Sequence, residues 1–253
     1  MGRKLFITFV MIIIALRVYS QETQTKDDQL WLNFLYNYTF KNSITYTGDT
    51  EAAFTLGADE KYRQVSLNNI FRYNILSPYD VFWSLYVSYE VPLDSTSSYN
   101  TFELRPWAGF RFNFLPPSKK FQFNTLVRIE ERFLFYSGDI EDSRSTRLRI
   151  RPEIFYAINN QNIHQNNTWF IRLDGEAFFT VSNPKGQRYA QTARIRLGLN
   201  YRKSDAWSFE VLFIEQLSKN TIDEAYYGTR NIFNLKARFF MSAHSKSRDS
   251  LHE

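Results

Sequence analysis

The chain has 253 residues, of which 43% are hydrophobic and 18% aromatic, and it contains no cysteine. The missing cysteines exclude a disulfide framework and a Cys-ligated metal site. The net charge is +5, and setting aside residues 1–20 (Arg3, Lys4, Arg17 and no acid) leaves +2, too mild to point to nucleic acid.

Arg3 and Lys4 precede an apolar run from Leu5 to Leu16, and Val18-Tyr19-Ser20 resembles a small-residue cleavage site. Residues 1–20 are therefore expected to be a secretory signal peptide, since the run is short for a transmembrane helix. Residues 21–29 read as a flexible lead-in.

From there the chain alternates. Leu30–Phe40 puts Leu30, Leu32, Phe34, Tyr36, Tyr38 and Phe40 on one face. Segments follow at about 44–56, 62–75 and 81–91, with Ser77-Pro78-Tyr79-Asp80 read as a tight turn. From Phe102 to Phe114 the even positions are mostly apolar, whereas Glu103, Arg105, Trp107 and Arg111 are odd. Parity flips after Pro116-Pro117-Ser118-Lys119: Phe121, Phe123, Val127, Ile129, Phe133 and Phe135 now oppose Arg128, Glu130 and Arg132. Then Leu148, Ile150 and Ile154 oppose Arg147, Arg149, Arg151 and Glu153. Trp169, Ile171 and Leu173 oppose Arg172, Asp174 and Glu176, and Ile195, Leu197 and Leu199 oppose Arg194 and Arg196. Segments at 207–217 and 231–241 complete the series, and residues 242–253 form a polar tail. Period two means β-strands.

No linker divides the chain, so residues 30–241 read as one domain. Alternation alone leaves open which face is inside. Strands of about 12 to 16 residues, longer than the roughly 5 or 6 of ordinary strands, favour charges inside and apolar residues facing lipid. Short turns alternating with longer polar loops favour it too, as does the export signal. The fold class is thus all-β, an antiparallel transmembrane β-barrel. About eleven segments are visible, but a chain whose two ends lie in the periplasm needs an even number. Twelve strands are expected, with ten as the alternative.

Arg105-Pro106-Trp107-x-Gly109, Arg128-x-Glu130-Glu131-Arg132-Phe133 and Arg147-x-Arg149-x-Arg151 resemble an uncharacterised family of bacterial outer-membrane β-barrels, the domain of unknown function 2490 family. Leu30-Trp31-Leu32-Asn33 and Arg194-x-Arg196-x-Gly198-x-Asn200-Tyr201 are similar as well. The resemblance implies a location in the outer membrane and carries no activity. Many such barrels finish on a terminal aromatic, whereas here Phe239-Phe240 is followed by the polar tail.

Catalysis is not expected. His164 sits in a turn, His244 and His252 lie in the tail, and none is on a strand, which removes the usual general base. Glu130 and Glu131 point to opposite faces by parity. Asp139, Glu141 and Asp142 share one loop that reads as solvated rather than metal-binding, and no cofactor is implied. Trp83, Trp169 and Trp207, near strand ends, suit interfacial girdles.

The function expected is a narrow pore or passive transporter with a charged lumen. A closed structural or surface-binding barrel is the alternative, and an outer-membrane enzyme is a distant one. Partners are membrane lipid, small anions or solutes, and the outer-membrane insertion machinery. Pro106 and Pro152, both mid-strand, are expected to bulge or bend the wall. Turn positions set Arg105 against Glu130, Glu103 against Arg132, and Trp107 against Arg128 in a cation–π contact. They also set Glu130 against Arg151, Arg128 against Glu153, Arg151 against Asp174, Glu153 against Arg172, and Arg149 against Glu176. Arg194 and Arg196 are left as excess positive charge. The Pro116–Lys119 and Lys203–Asp205 turns are expected on the periplasmic side, with the loops at 92–98, 138–145 and 218–228 outside.

Overall fold

The computed structural model describes residues 27–40, 44–56, 62–76, 78–93, 99–114, 120–182, 190–220 and 225–242. The expected signal peptide and residues 243–253 lie outside the described residues. The alternating segments form β1 (Asp27–Phe40), β2 (Ile44–Leu56), β3 (Tyr62–Leu76), β4 (Tyr79–Pro92), β5 (Thr101–Asn113), β6 (Phe121–Tyr136), β7 (Ser143–Ala157), β8 (Thr168–Thr180), β9 (Ala190–Arg202), β10 (Trp207–Ser218) and β11 (Tyr227–Ser242). Boundaries differ from expectation at several strands: β11 starts at Tyr227 rather than residue 231, and β7 starts at Ser143 within the expected loop. The lead-in yields to β1 at Asp27, and Gln29 is fully buried. Tyr79 and Asp80 belong to β4, not to the turn before it.

Each strand pairs with its sequence neighbours, and β1 pairs with β11 to close a barrel. Among the described residues the count is eleven, not twelve or ten. Sequence neighbours pair antiparallel, but β1 and β11 run parallel, from Asp27 against Arg230 to Thr39 against Ser242. A barrel needs an even count only when its first and last strands are antiparallel, and this seam lifts that condition. Closure leaves no edge with unpaired backbone. Strand direction puts the β5–β6 and β9–β10 connections at the end of the barrel where β11 finishes, the Ser242 end. The β4–β5, β6–β7 and β10–β11 connections lie at the opposite, Asp27 end. The expected turns thus sort into two sets as read from sequence, although Pro116–Lys119 themselves are outside the described residues.

The wall is inverted relative to a globular core. Exposed side chains include Val65 at 59%, Trp83 at 58% and Ile129 at 52%. Buried ones include Glu103, Glu130, Arg149, Glu153, Asp174, Glu176, Arg196 and Glu210. Aromatic rings pair along the outside, as Trp83 does with Phe71, Trp169 with Tyr201, and Trp207 with Phe239. Tyr36 lies across Gly48, opposite it on β2, where a Cβ would sit 2.3 Å from the ring. Tyr36 also hydrogen-bonds Tyr46 at 3.0 Å.

Both mid-strand prolines mark gaps. The β5–β6 pairing passes from Leu104–Phe133 to Trp107–Glu130, omitting Arg105 and Pro106. The β7–β8 pairing passes from Ile150–Ala177 to Glu153–Asp174, omitting Arg151 and Pro152. Proline has no N–H to give. The register is the same on either side of each gap, so the wall loses local pairing without the inserted residue of a bulge. The far side of each proline stays paired, to Leu85 and Thr125.

Candidate functional site: a charged barrel interior

Parity places the polar face of every strand inside, and the charges concentrate on β5 to β10. Glu130, 1% exposed, accepts from Arg147 Nε at 2.7 Å and Arg149 Nη1 at 3.1 Å. Glu176 accepts from Arg149 Nη2 at 2.7 Å and from Arg196, with Arg128 at 3.6 Å. Asp174 holds Arg196 Nη1 at 2.6 Å and Arg172 Nε at 2.7 Å. Arg172 continues to Glu153 at 3.1 Å and Glu210 at 3.4 Å, and Arg151 also meets Glu153 at 3.1 Å. These contacts form one connected network from β6 to β10. A smaller group joins Glu103 to Arg132 at 2.6 Å and Arg105 at 2.7 Å. Arg111 meets Asp80 at 3.0 Å near the Ser242 end.

The expected partners divide into two sets. Glu103–Arg132, Arg149–Glu176 and Glu153–Arg172 form as read from sequence. Arg128 lies 4.9 Å over the Trp107 ring, also as expected. The other four are corrected. Arg105 turns to Glu103 and sits 4.3 Å over Tyr86 rather than reaching Glu130. Glu130 takes Arg147 and Arg149 instead of Arg151, and Arg128 takes Glu130 and Glu176 instead of Glu153. Arg151 takes Glu153 instead of Asp174.

Register is the cause. Trp107 stands opposite Glu130, two residues from the expected alignment, and Glu130 stands opposite Arg147, four residues away. Glu153 stands opposite Asp174 rather than Arg172. Each slip is even, so every side chain keeps its face. Long side chains then reach diagonal neighbours, which is how three expected pairs form without direct opposition.

Apolar side chains complete the filling. Phe82, Trp107 and Leu126 cluster inside with Ile70, and Leu212, Ile214 and Ile232 cluster with Trp31. Arg147, Arg149 and Arg194 surround the Phe178 ring. Of the two expected excess cations, Arg196 is paired by Asp174 and Glu176, whereas Arg194 donates to Gln216 at 2.9 Å.

Several inward charges were not singled out from sequence: Asp49, Glu51, Asp80, Glu210, Lys236 and Arg238. Asp80, Glu210, Lys236 and Arg238 alternate with apolar residues, the same signal that marked Arg149, whereas Asp49 and Glu51 flank Thr50 and carry no such signal. Of the residues considered for chemistry, Glu131 faces outward and binds Arg144 at 2.5 Å, so it shares no site with Glu130. His164 is exposed in the β7–β8 connection, and His244 and His252 lie outside the described residues. Asp139, Glu141 and Asp142 are exposed, and Asp142 accepts from the Tyr136 amide at 3.2 Å.

No curated protein and no solved structure matches the chain. The family described as "Protein of unknown function (DUF2490)" matches residues 28–227, which is most of the chain and spans β1 to the start of β11. The chain belongs to that family.

Proposed function

We propose that this protein is an outer-membrane β-barrel whose interior is closed by its own side chains, so that it serves as a membrane-embedded structural or surface-binding protein. The observation that carries the closed reading is the burial of ionised groups in mid-lumen: Glu130, Glu153, Asp174 and Glu176 are 1–3% exposed. Such burial needs neighbouring side chains on all sides, and guanidinium groups and the two apolar clusters supply them.

The membrane reading rests on the inverted wall. A surface carrying Val65, Trp83, Ile129 and Ile195 at half exposure or more suits hydrocarbon better than water. A closed sheet is one of the two structures that satisfy every backbone group in lipid. Strands of 12 to 16 residues exceed the roughly 9–11 that cross a bilayer when tilted. The export signal read from the sequence agrees with this location, which would bring with it lipid contacts and assembly by the outer-membrane insertion machinery.

A narrow pore is the second reading. Arg194, Lys236 and Arg238 face inward without a carboxylate within 4.0 Å among the described residues, so any path through the barrel favours small anions. Planar-bilayer recording of the refolded protein separates the two. Silence supports the closed barrel, anion-preferring steps support the narrow pore instead, and large cation-selective channels overturn both. Recovery of the protein from the soluble rather than the outer-membrane fraction would remove the membrane reading itself.

A further inference from the structure

The charge network of β6 to β10 leaves each of its acids touching a guanidinium. The interior beside the β1–β11 seam is built differently. Asn33 on β1 stands between Lys236 on β11 and Glu51 on β2. One row nearer the Ser242 end, Leu35 stands between Arg238 and Asp49. Two cations on one strand thus face two acids on another, with β1 between them. Adjacent strands lie about 4.8 Å apart, so the opposing backbones are roughly 10 Å apart.

The charges do not meet across that gap. Among the described residues, no carboxylate lies within 4.0 Å of the Lys236 ammonium or the Arg238 guanidinium. Glu210 is opposite Lys236 in register, but its contact within that distance is Arg172, at 3.4 Å. Asn33 Nδ2 donates to Asp49 at 2.8 Å, which leaves Asn33 Oδ1 buried with no partner. Asn234, 1% exposed and two residues before Lys236, has its Oδ1 in the same condition. Buried charges and carbonyls without partners are costly. Cations without a carboxylate on β11, acids without a guanidinium on β2, and an unpartnered asparagine carbonyl on β1 between them define a ligand with both signs of charge.

We propose that the lumen beside the seam binds a small zwitterion, its anionic end at Lys236 and Arg238 and its cationic end among Asp49, Glu51 and the Asn33 carbonyl. The proposal rests on the interior alone and is independent of where the barrel resides. It is tested on the folded full chain in detergent, by ligand-observed NMR and calorimetry, with γ-aminobutyrate, acetate and methylammonium as probes. γ-Aminobutyrate is expected to bind at least tenfold tighter than either single-charge probe. Lys236→Met and Glu51→Gln should each weaken it at least fivefold, whereas Glu131→Gln on the outer wall should leave it unchanged. Equal responses to all three probes on the unmodified protein overturn the proposal, and so does affinity retained in Lys236→Met. A crystal structure at saturating γ-aminobutyrate with only ordered water in the gap also overturns it. The probe comparison needs no variant, so a substitution that fails to fold leaves the test intact.

Discussion

Arg149 donates to Glu176 through Nε at 2.9 Å and Nη2 at 2.7 Å, although Glu176 is on β8 and the residue opposite Arg149 there is Phe178. The pair spans a diagonal of the sheet. Glu176 also takes Arg196, and Arg128 stands 3.6 Å away, so one carboxylate balances three guanidinium groups.

Glu176→Gln should therefore be among the most damaging single changes in the lumen. It removes the charge and leaves Arg128, Arg149 and Arg196 to share Glu130 and Asp174, an excess of buried positive charge, and breaking a buried pair costs about 3–5 kcal/mol. Urea titration of the folded barrel, followed by tryptophan fluorescence, measures it. A loss below about 1 kcal/mol, the scale of an exposed ion pair, would mean that water screens this part of the lumen.

Trp107 closes the interior between Arg128 and the Phe82–Leu126 cluster, and its Nε1 donates to Asn68 at 3.4 Å. Trp107→Ala should cost about 3–5 kcal/mol. If the barrel still folds, it should show bilayer conductance above that of the parent. Unchanged conductance in a folded Trp107→Ala barrel would place the closure elsewhere along the lumen.

Gly48→Ala should be destabilising for an identifiable reason. The added Cβ would meet the Tyr36 ring at 2.3 Å and push it off its hydrogen bond to Tyr46. Overpacking of this kind costs about 1–3 kcal/mol. In a Tyr36→Leu background the same substitution should cost much less. A double-mutant cycle measures the coupling, and additive losses would show that the ring does not set the need for glycine.

Sidedness gives the fourth prediction. With the Ser242 end in the periplasm, a cysteine at Ser143 should label with an impermeant reagent on intact cells, and one at Ser204 should not. The reverse pattern would invert the barrel while leaving its interior unchanged.

Much of this architecture is legible in the sequence because alternation survives every connection. Ile44–Leu56 is a strand with the bounds read from its sequence, and the face of each expected lumen residue from Glu103 to Arg196 follows from parity alone. Register is not legible to the same degree. Slipping β5 against β6 by two residues keeps Phe on one face and Arg on the other, and because long side chains pair on diagonals even a register that sets Arg128 opposite Arg149 and Glu153 opposite Asp174 is satisfied. Strand number is not legible either, because evenness is a property of how the barrel closes, and no local pattern in β1 or β11 announces a parallel partner some two hundred residues away. Asp80 was read as a turn residue because Ser77-Pro78 precedes it, yet it is 4% exposed and holds Arg111.

The parallel seam also decides how the chain can be rewired. Asp27 and Ser242 close the same sheet but stand at opposite ends of the barrel. In an even-stranded barrel, a few residues could join the first strand to the last and new termini could be cut at any loop. Here a linker would have to run the full height of the wall, through the lumen or along the outside. Circular permutation with a short linker should therefore fail for this barrel, whichever loop is opened. A split between two strands, with the halves reassembled as separate chains, asks for no such crossing and is the rearrangement this topology permits.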